Sequence, residues 1–270
     1  MIAQDTTLTA DFLYGMHAWS FGLVFFALML AAGEAGFRLG RKSGAGNQEE
    51  TKARIGAVEG GVLGVLGLLL GFTLVMAVSR FDTRKQLVLE EANAIGTSYW
   101  RSQLVPPPEG TELSNLLREY VDAKLHYFDA GVDPARLGAS RERTARLQEE
   151  LWSRAAAFAR KDSRSVPAGL LLQSLNQTFD LESARWTALV IHVPESVIWV
   201  DGFVGLLAVL MVGYTFGLGG RRNPFSMGLL AVCIATVLAV IVDLDQPGRG
   251  LIQVSQQPLV DLQRQLTDKH

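Results

Sequence analysis

Cysteine is almost absent from this sequence. Its 270 residues include one cysteine, Cys233, so no internal disulfide can form. The four histidines, at positions 17, 126, 192 and 270, lie far apart, and no zinc-ligand spacing occurs. The sequence also lacks a nucleophile motif and a phosphate-binding glycine loop. These absences exclude a disulfide framework and predict that the protein is not an enzyme.

An excess of basic residues is missing as well. The chain has 25 Lys and Arg against 27 Asp and Glu, for a net charge of −2, so no nucleic-acid partner is indicated. Hydrophobic residues make up 49% of the chain and are gathered into four blocks. An α-helix needs about 20 apolar residues to cross a hydrocarbon core of about 30 Å. The pattern predicts an all-α, multi-pass protein of the cell (inner) membrane, with the lipid bilayer as a partner.

Four spans are predicted. The first two, at about 12–35 and 58–79, make up the segment 1–79; the other two, at about 194–218 and 225–242, lie within 191–245 and form a helical hairpin. A cleavable signal peptide is the alternative for the first span. The N-terminus has no Lys or Arg and carries Asp5 and Asp11, which favours a retained helix.

A domain with a different composition separates the second and third spans. Residues 80–190 contain 15 basic and 15 acidic residues, interleaved, with helical apolar spacing between proline and glycine breaks. An inserted helical bundle is therefore predicted there, and residues 246–270 are predicted to be a C-terminal tail. No Gly or Pro interrupts Val78 to Ile95. The second span should therefore continue into the bundle as one long helix.

Four glycines recur along one face of the second span: Gly60, Gly64, Gly67 and Gly71. A face without Cβ atoms lets another backbone come close. One interpretation is tight packing against another helix. The other is a helix that lines a narrow pore beside copies of itself.

Charged residues near the spans allow structural and functional interpretations. Arg80 and Arg84 are i, i+4 neighbours beyond the second span, and would either anchor the interface and form local ion pairs or form a positive ring at a pore mouth. Asp201, near the start of the third span, would snorkel or pair, or mark an ion path. Glu90 and Glu91 are adjacent and point in different directions, so they suit buried polar contacts or cation coordination rather than catalysis.

Two acidic residues, Asp243 and Asp245, end the fourth span and are followed by an irregular turn. Carboxylates before such a turn can hold a hard cation such as a divalent metal through oxygen ligands. The alternative is an interfacial cap that pairs with basic groups such as Arg249. No other cofactor is predicted.

Three segments resemble known families. LGFTLVMAVSRFDTRKQLVLEEANAIG resembles the bestrophin family, while EEANAIGTSYWR and the C-terminal DLDQPGRGLIQVSQQPL resemble bacterial bestrophin-like proteins. The resemblance implies a pentameric channel whose second helix lines a hydrophobic neck, with a positive mouth at Arg80 and Arg84. Asp243 and Asp245 match the calcium-binding acidic cluster most nearly, but the longer acidic run of the animal proteins is absent. The neck would fall on Leu66, Leu70, Phe72 and Thr73.

The predicted function is a homo-oligomeric channel or pore for small inorganic ions. The alternative is a non-conducting, membrane-anchored helical sensor or scaffold. Four spans place the termini and the inserted domain on one side of the membrane. The basic loops favour an external domain by the positive-inside rule, whereas the resemblance implies a cytoplasmic one.

Overall fold

The computed structural model describes residues 17–43, 48–129, 134–162, 164–220, 222–246 and 250–267. Within these ranges the chain forms helices and no strand, which confirms the all-α prediction. The helices are α1 Ala18–Ser43, α2 Gln48–Ser102, α3 Glu109–Asp129, α4 Pro134–Lys161, α5 Val166–Val190, α6 Glu195–Leu218, α7 Pro224–Asp245 and α8 Gln257–Thr267.

Four helical stretches are long and apolar enough to cross a membrane. They are α1, the part of α2 from residue 53 onward, the stretch 166–218 that contains α6, and α7. This confirms the predicted multi-pass, four-span architecture. The first helix extends beyond the predicted end at residue 35, to Ser43, while residues 12–16 of that predicted span lie outside the described residues.

The chain divides into two compact units. The first contains the described residues of 17–79, 192–246 and 250–252, and the second those of 80–191 and 253–267. Following the predicted domains, we name them the membrane unit and the extramembrane unit. The helix α2 runs without interruption from Gln48 to Ser102 and contributes residues to both.

Glycines bring α1 and α6 into backbone contact inside the membrane unit. A Cβ at Gly36 or Gly40 of α1 would overlap the carbonyl oxygen of Leu210 or Tyr214 in α6. The reverse holds for Gly213 and Gly217 of α6, which face carbonyl oxygens of α1. In a bilayer, where lipid tails are as apolar as leucine, such close van der Waals contact is what holds helices together.

The core of the extramembrane unit is built from α2, α3, α4, α5 and α8. Tyr99, Tyr120 and Leu151 are among its fully buried side chains. Three leucines of α8 join the same core, namely Leu259, Leu262 and Leu266. Residues 257–267, which were predicted to belong to a tail, therefore form a helix that packs inside the bundle. Arg118 Nε donates to the Leu266 carbonyl, 3.1 Å away, at the end of this helix.

The contact between α1 and α6 predicts a sharp difference between two glycines. Gly36→Ala should lower the free energy of unfolding by about 1–3 kcal/mol, because the new methyl group meets a backbone carbonyl that cannot rotate away. Gly228→Ala in α7 is the control, since nothing lies within 4 Å of its Cβ position. Thermal unfolding in detergent measures both. Equal melting temperatures for the two variants would contradict the assigned packing.

Candidate functional site

One strip of α2 packs inside the membrane unit. Leu66, Leu70, Thr73 and Ala77 follow helical spacing and are buried. The end of the Leu66 side chain lies near Gly205 of α6. Three of the four predicted pore-lining residues, Leu66, Leu70 and Thr73, therefore lie on the face of α2 that packs within the protomer.

The fourth predicted lining residue lies elsewhere. The side chain of Phe72 is 64% exposed, and Leu68 and Val75 are also exposed, at 57% and 67%. Residues two positions apart in an α-helix are about 200° apart around the axis, so Leu68 points away from the face that carries Leu66 and Leu70. The sequence is apolar all around this helix, so periodicity alone could not separate the two faces.

The glycine face of α2 is uncovered within the protomer. At Gly60, Gly64, Gly67 and Gly71, nothing lies within 4 Å of the Cβ position. The described helices of this chain therefore do not pack on that face, in contrast to the glycines of α1 and α6. Packing of these glycines against another copy stays a prediction.

The two predicted pore-mouth arginines have different surroundings. Arg84 is only 3% exposed, and its guanidinium donates from Nε to the Ala188 carbonyl at 2.9 Å and from Nη2 to the Ile191 carbonyl at 3.1 Å. It thus caps the last turn of α5, where carbonyls lack helical partners. Arg80 is half-buried, and its Nε has no hydrogen-bond partner among the described residues. The role of both residues at a pore mouth stays a prediction.

A buried ionic cluster holds the extramembrane unit together. Glu91 is fully buried and pairs with the Arg185 guanidinium and with Lys124 Nζ, which lies 3.0 Å from its Oε1. Lys124 Nζ also lies 3.5 Å from Glu182. Burial, with a contribution from the Glu91 carboxylate, raises the pKa of Tyr120 well above its usual value. Arg185 was missed by the sequence analysis, because 94 residues separate it from Glu91 and no local pattern links them.

Asp243 and Asp245 are engaged by backbone N–H groups. Asp243 accepts from Leu251 at 2.8 Å and from Ile252 at 2.9 Å, one bond to each carboxylate oxygen. Asp245 Oδ2 accepts from the Val193 N–H at 2.6 Å. In the described part of the chain, no three His, Cys, Asp or Glu side chains are grouped so that they could hold a metal ion. Arg249, the predicted partner of the acids, lies outside the described residues.

The remaining charged candidate is Asp201, which lies in α6 and is fully buried inside the membrane unit. Neither of its carboxylate oxygens has a hydrogen-bond partner among the described residues. It therefore does not snorkel to solvent or form an ion pair within the described protomer.

Four apolar helices with a helical bundle inserted after the second define a multi-pass α-helical membrane protein. Residues 25–259 match the family model of the Bestrophin-like domain, and the chain belongs to this bestrophin-like family. No curated protein matches the sequence.

Solved structures share the fold. A crystal structure of a bacterial bestrophin homolog from Klebsiella pneumoniae, phased by zinc anomalous scattering, matches with a TM-score of 0.66 at 15% identity, over 93% of this chain and 97% of that one. A variant of that homolog with a tryptophan-to-alanine mutation gives a TM-score of 0.67 at 14% identity, over 92% and 95% of the two chains. At this level of identity the likeness establishes the fold.

The ionic cluster predicts different outcomes for two adjacent glutamates. Glu91→Gln should lower the free energy of unfolding by about 3–5 kcal/mol, because Lys124 and Arg185 lose the carboxylate that compensates their buried charges. Glu90→Gln is the matched control, since the Glu90 carboxylate accepts a hydrogen bond from the Gln86 amide at an exposed site. Chemical denaturation measures the difference. A similar small effect for both variants would contradict the assigned role of the cluster.

The acidic pair makes a prediction about metals. Asp243→Asn should lower the melting temperature equally in calcium and in chelator, because an amide has one oxygen to serve the two N–H groups of Leu251 and Ile252. The wild type should melt at one temperature under both conditions. Stabilisation of the wild type by calcium that is lost in Asp243→Asn would instead identify a metal site.

Proposed function

We propose that the protein is a homo-oligomeric ion channel of the cell (inner) membrane, in which the α2 helices of several copies surround the conduction path. The observation that carries the proposal is the uncovered state of α2. In the most apolar 18-residue segment of α2, only 22% is buried within the protomer. The corresponding share is 39–44% in the other three spans. A pentamer, as the family resemblance implies, is the expected assembly.

The glycine face supports contact with another copy. In lipid, a stripe of glycines gains little, whereas against a second helix it permits close backbone approach. The face at Gly60, Gly64, Gly67 and Gly71 is free for such contact. Neighbouring copies of α2 would then pack side by side around an axis.

The burial pattern also revises the choice of pore-lining residues. If one face of α2 packs on its own protomer and the glycine face packs on a neighbouring copy, we expect the path to lie beside Leu68, Phe72 and Val75, which are exposed. Leu68 and Phe72 are one turn apart and would form a hydrophobic constriction, which gates ion flow by excluding water. In this proposal Phe72 remains a pore-lining residue, and Leu68 replaces Leu66, Leu70 and Thr73.

A positive pore mouth would fall to Arg80 in this arrangement. Arg84 is engaged at the end of α5, so its charge serves the carbonyls of Ala188 and Ile191. The ions conducted are small and inorganic.

A second candidate function is a non-conducting scaffold. An open groove of about 530 Å³ runs between α2 and α5 of the extramembrane unit, and its lining includes Glu90, Asn93, Gln177 and Asp180. The carboxylates of Glu90 and Asp180 in this groove suit a partner with basic or amide groups. A monomeric or dimeric mass in detergent would favour this function, because neither assembly encloses a path.

The channel proposal predicts opposite results for two leucines of one helix. In planar bilayers, Leu68→Ala should raise the current at a given voltage several-fold, because it widens a hydrophobic constriction. Leu70→Ala is the matched control: Leu70 is 8% exposed, so its loss should lower thermal stability and leave the current per folded oligomer unchanged. If Leu70→Ala raised the current and Leu68→Ala did not, the hydrophobic neck would lie on the buried face of α2 that carries Leu70. No current from a stable wild-type oligomer would overturn the channel itself.

A further inference from the structure

Asp201 lies in the first third of α6, in an apolar and buried part of the membrane unit. One turn before and after it on the same face of α6, Ile198 and Gly205 are also buried. Side-chain atoms of Met29, Ile234 and Leu66 surround the Cβ position of Gly205. A carboxyl at this position is shielded from solvent by α1, α2 and α7.

Among the described residues, the hydroxyl of Thr73 in α2 lies beside the carboxyl, although neither carboxylate oxygen is hydrogen-bonded in this structure. Its proton is already used, because Thr73 Oγ1 donates to the Leu69 carbonyl at 3.0 Å. A hydroxyl has one proton and two lone pairs, so Thr73 offers the carboxyl an acceptor. Only a protonated carboxyl can satisfy an acceptor, by donating its own O–H.

In the described part of the chain, no charged group compensates an ionised Asp201. The helices around it bring Phe25 next to Gly202, Ile234 next to Gly205, and Thr73 next to the carboxyl; none of these side chains titrates. An unpaired carboxylate in such surroundings costs several kcal/mol, and a group in this position takes up a proton instead.

We propose that Asp201 is a proton-binding site within the membrane. Its carboxyl holds a proton at neutral pH, and in that state its O–H would donate to Thr73 Oγ1, so that one hydrogen bond between neutral groups would join α6 to α2. No metal ion is needed at the site. The assignment is independent of whether the oligomer conducts ions.

Infrared spectroscopy of the full-length protein tests the protonated state directly. At neutral pH the wild type should show a carboxylic-acid C=O stretch that shifts in D2O and is absent from Asp201→Asn. Asp261→Asn, which removes an exposed carboxylate of α8, should retain the band. An unchanged band in Asp201→Asn, or no such band in the wild type, would overturn the proposal.

Two further measurements test whether Thr73 is the acceptor and whether Asp201 holds a proton or a metal cation. Thr73→Val should keep the C=O band but shift its frequency, because the acceptor is lost. Thr73→Ser should restore the wild-type frequency. An unshifted frequency in Thr73→Val would reject Thr73 as the acceptor. Replacing sodium and potassium with choline should leave the melting temperature of the wild type unchanged. A drop that Asp201→Asn does not show would mean that the carboxyl holds a metal cation rather than a proton.

Discussion

The close contact between α1 and α6 is the constraint on which the membrane unit depends. Gly36 and Gly40 face backbone carbonyls of α6, and Gly213 and Gly217 face those of α1. The two helices are therefore nearly as close as helices can be, and larger side chains must lie elsewhere around them. The helix α2 packs by one strip and keeps two apolar faces uncovered. The glycines of α1 and α6 pack within the chain, whereas those on the glycine face of α2 do not, and the proposed assembly rests on this difference.

In the extramembrane unit, buried ion pairs and hydrogen bonds to carbonyl groups constrain how the helices pack. Glu91 draws Lys124 and Arg185 into the interior, and Arg84 and Arg118 satisfy the last carbonyls of α5 and α8. Buried charges tolerate few alternative arrangements, because each mispaired group carries a desolvation penalty. The helices of the bundle are thus held in one register by partners that lie far apart in sequence.

The sequence predicted the architecture well, because four long apolar blocks and a charged insertion are large signals. The helical apolar spacing within residues 80–190 also agrees with the burial of Leu113, Leu117 and Tyr120, which follow that spacing in α3. Finer features could not be predicted from the sequence. The short helix α8 carries only three core leucines, and no local pattern reveals that Arg84 reaches carbonyls 104 and 107 residues away. A uniformly apolar helix such as α2 gives no period from which to tell Leu66 from Leu68.

The position of α8 in the chain has a consequence for how the protein is made. Leu259, Leu262 and Leu266 complete a core whose first members, near Val88, are synthesised before the third and fourth spans. The ribosome must therefore deliver α6 and α7 to the bilayer while the bundle still exposes the apolar surface that α8 later covers. Until residue 266 has been synthesised, the core of the bundle lacks leucines that complete it.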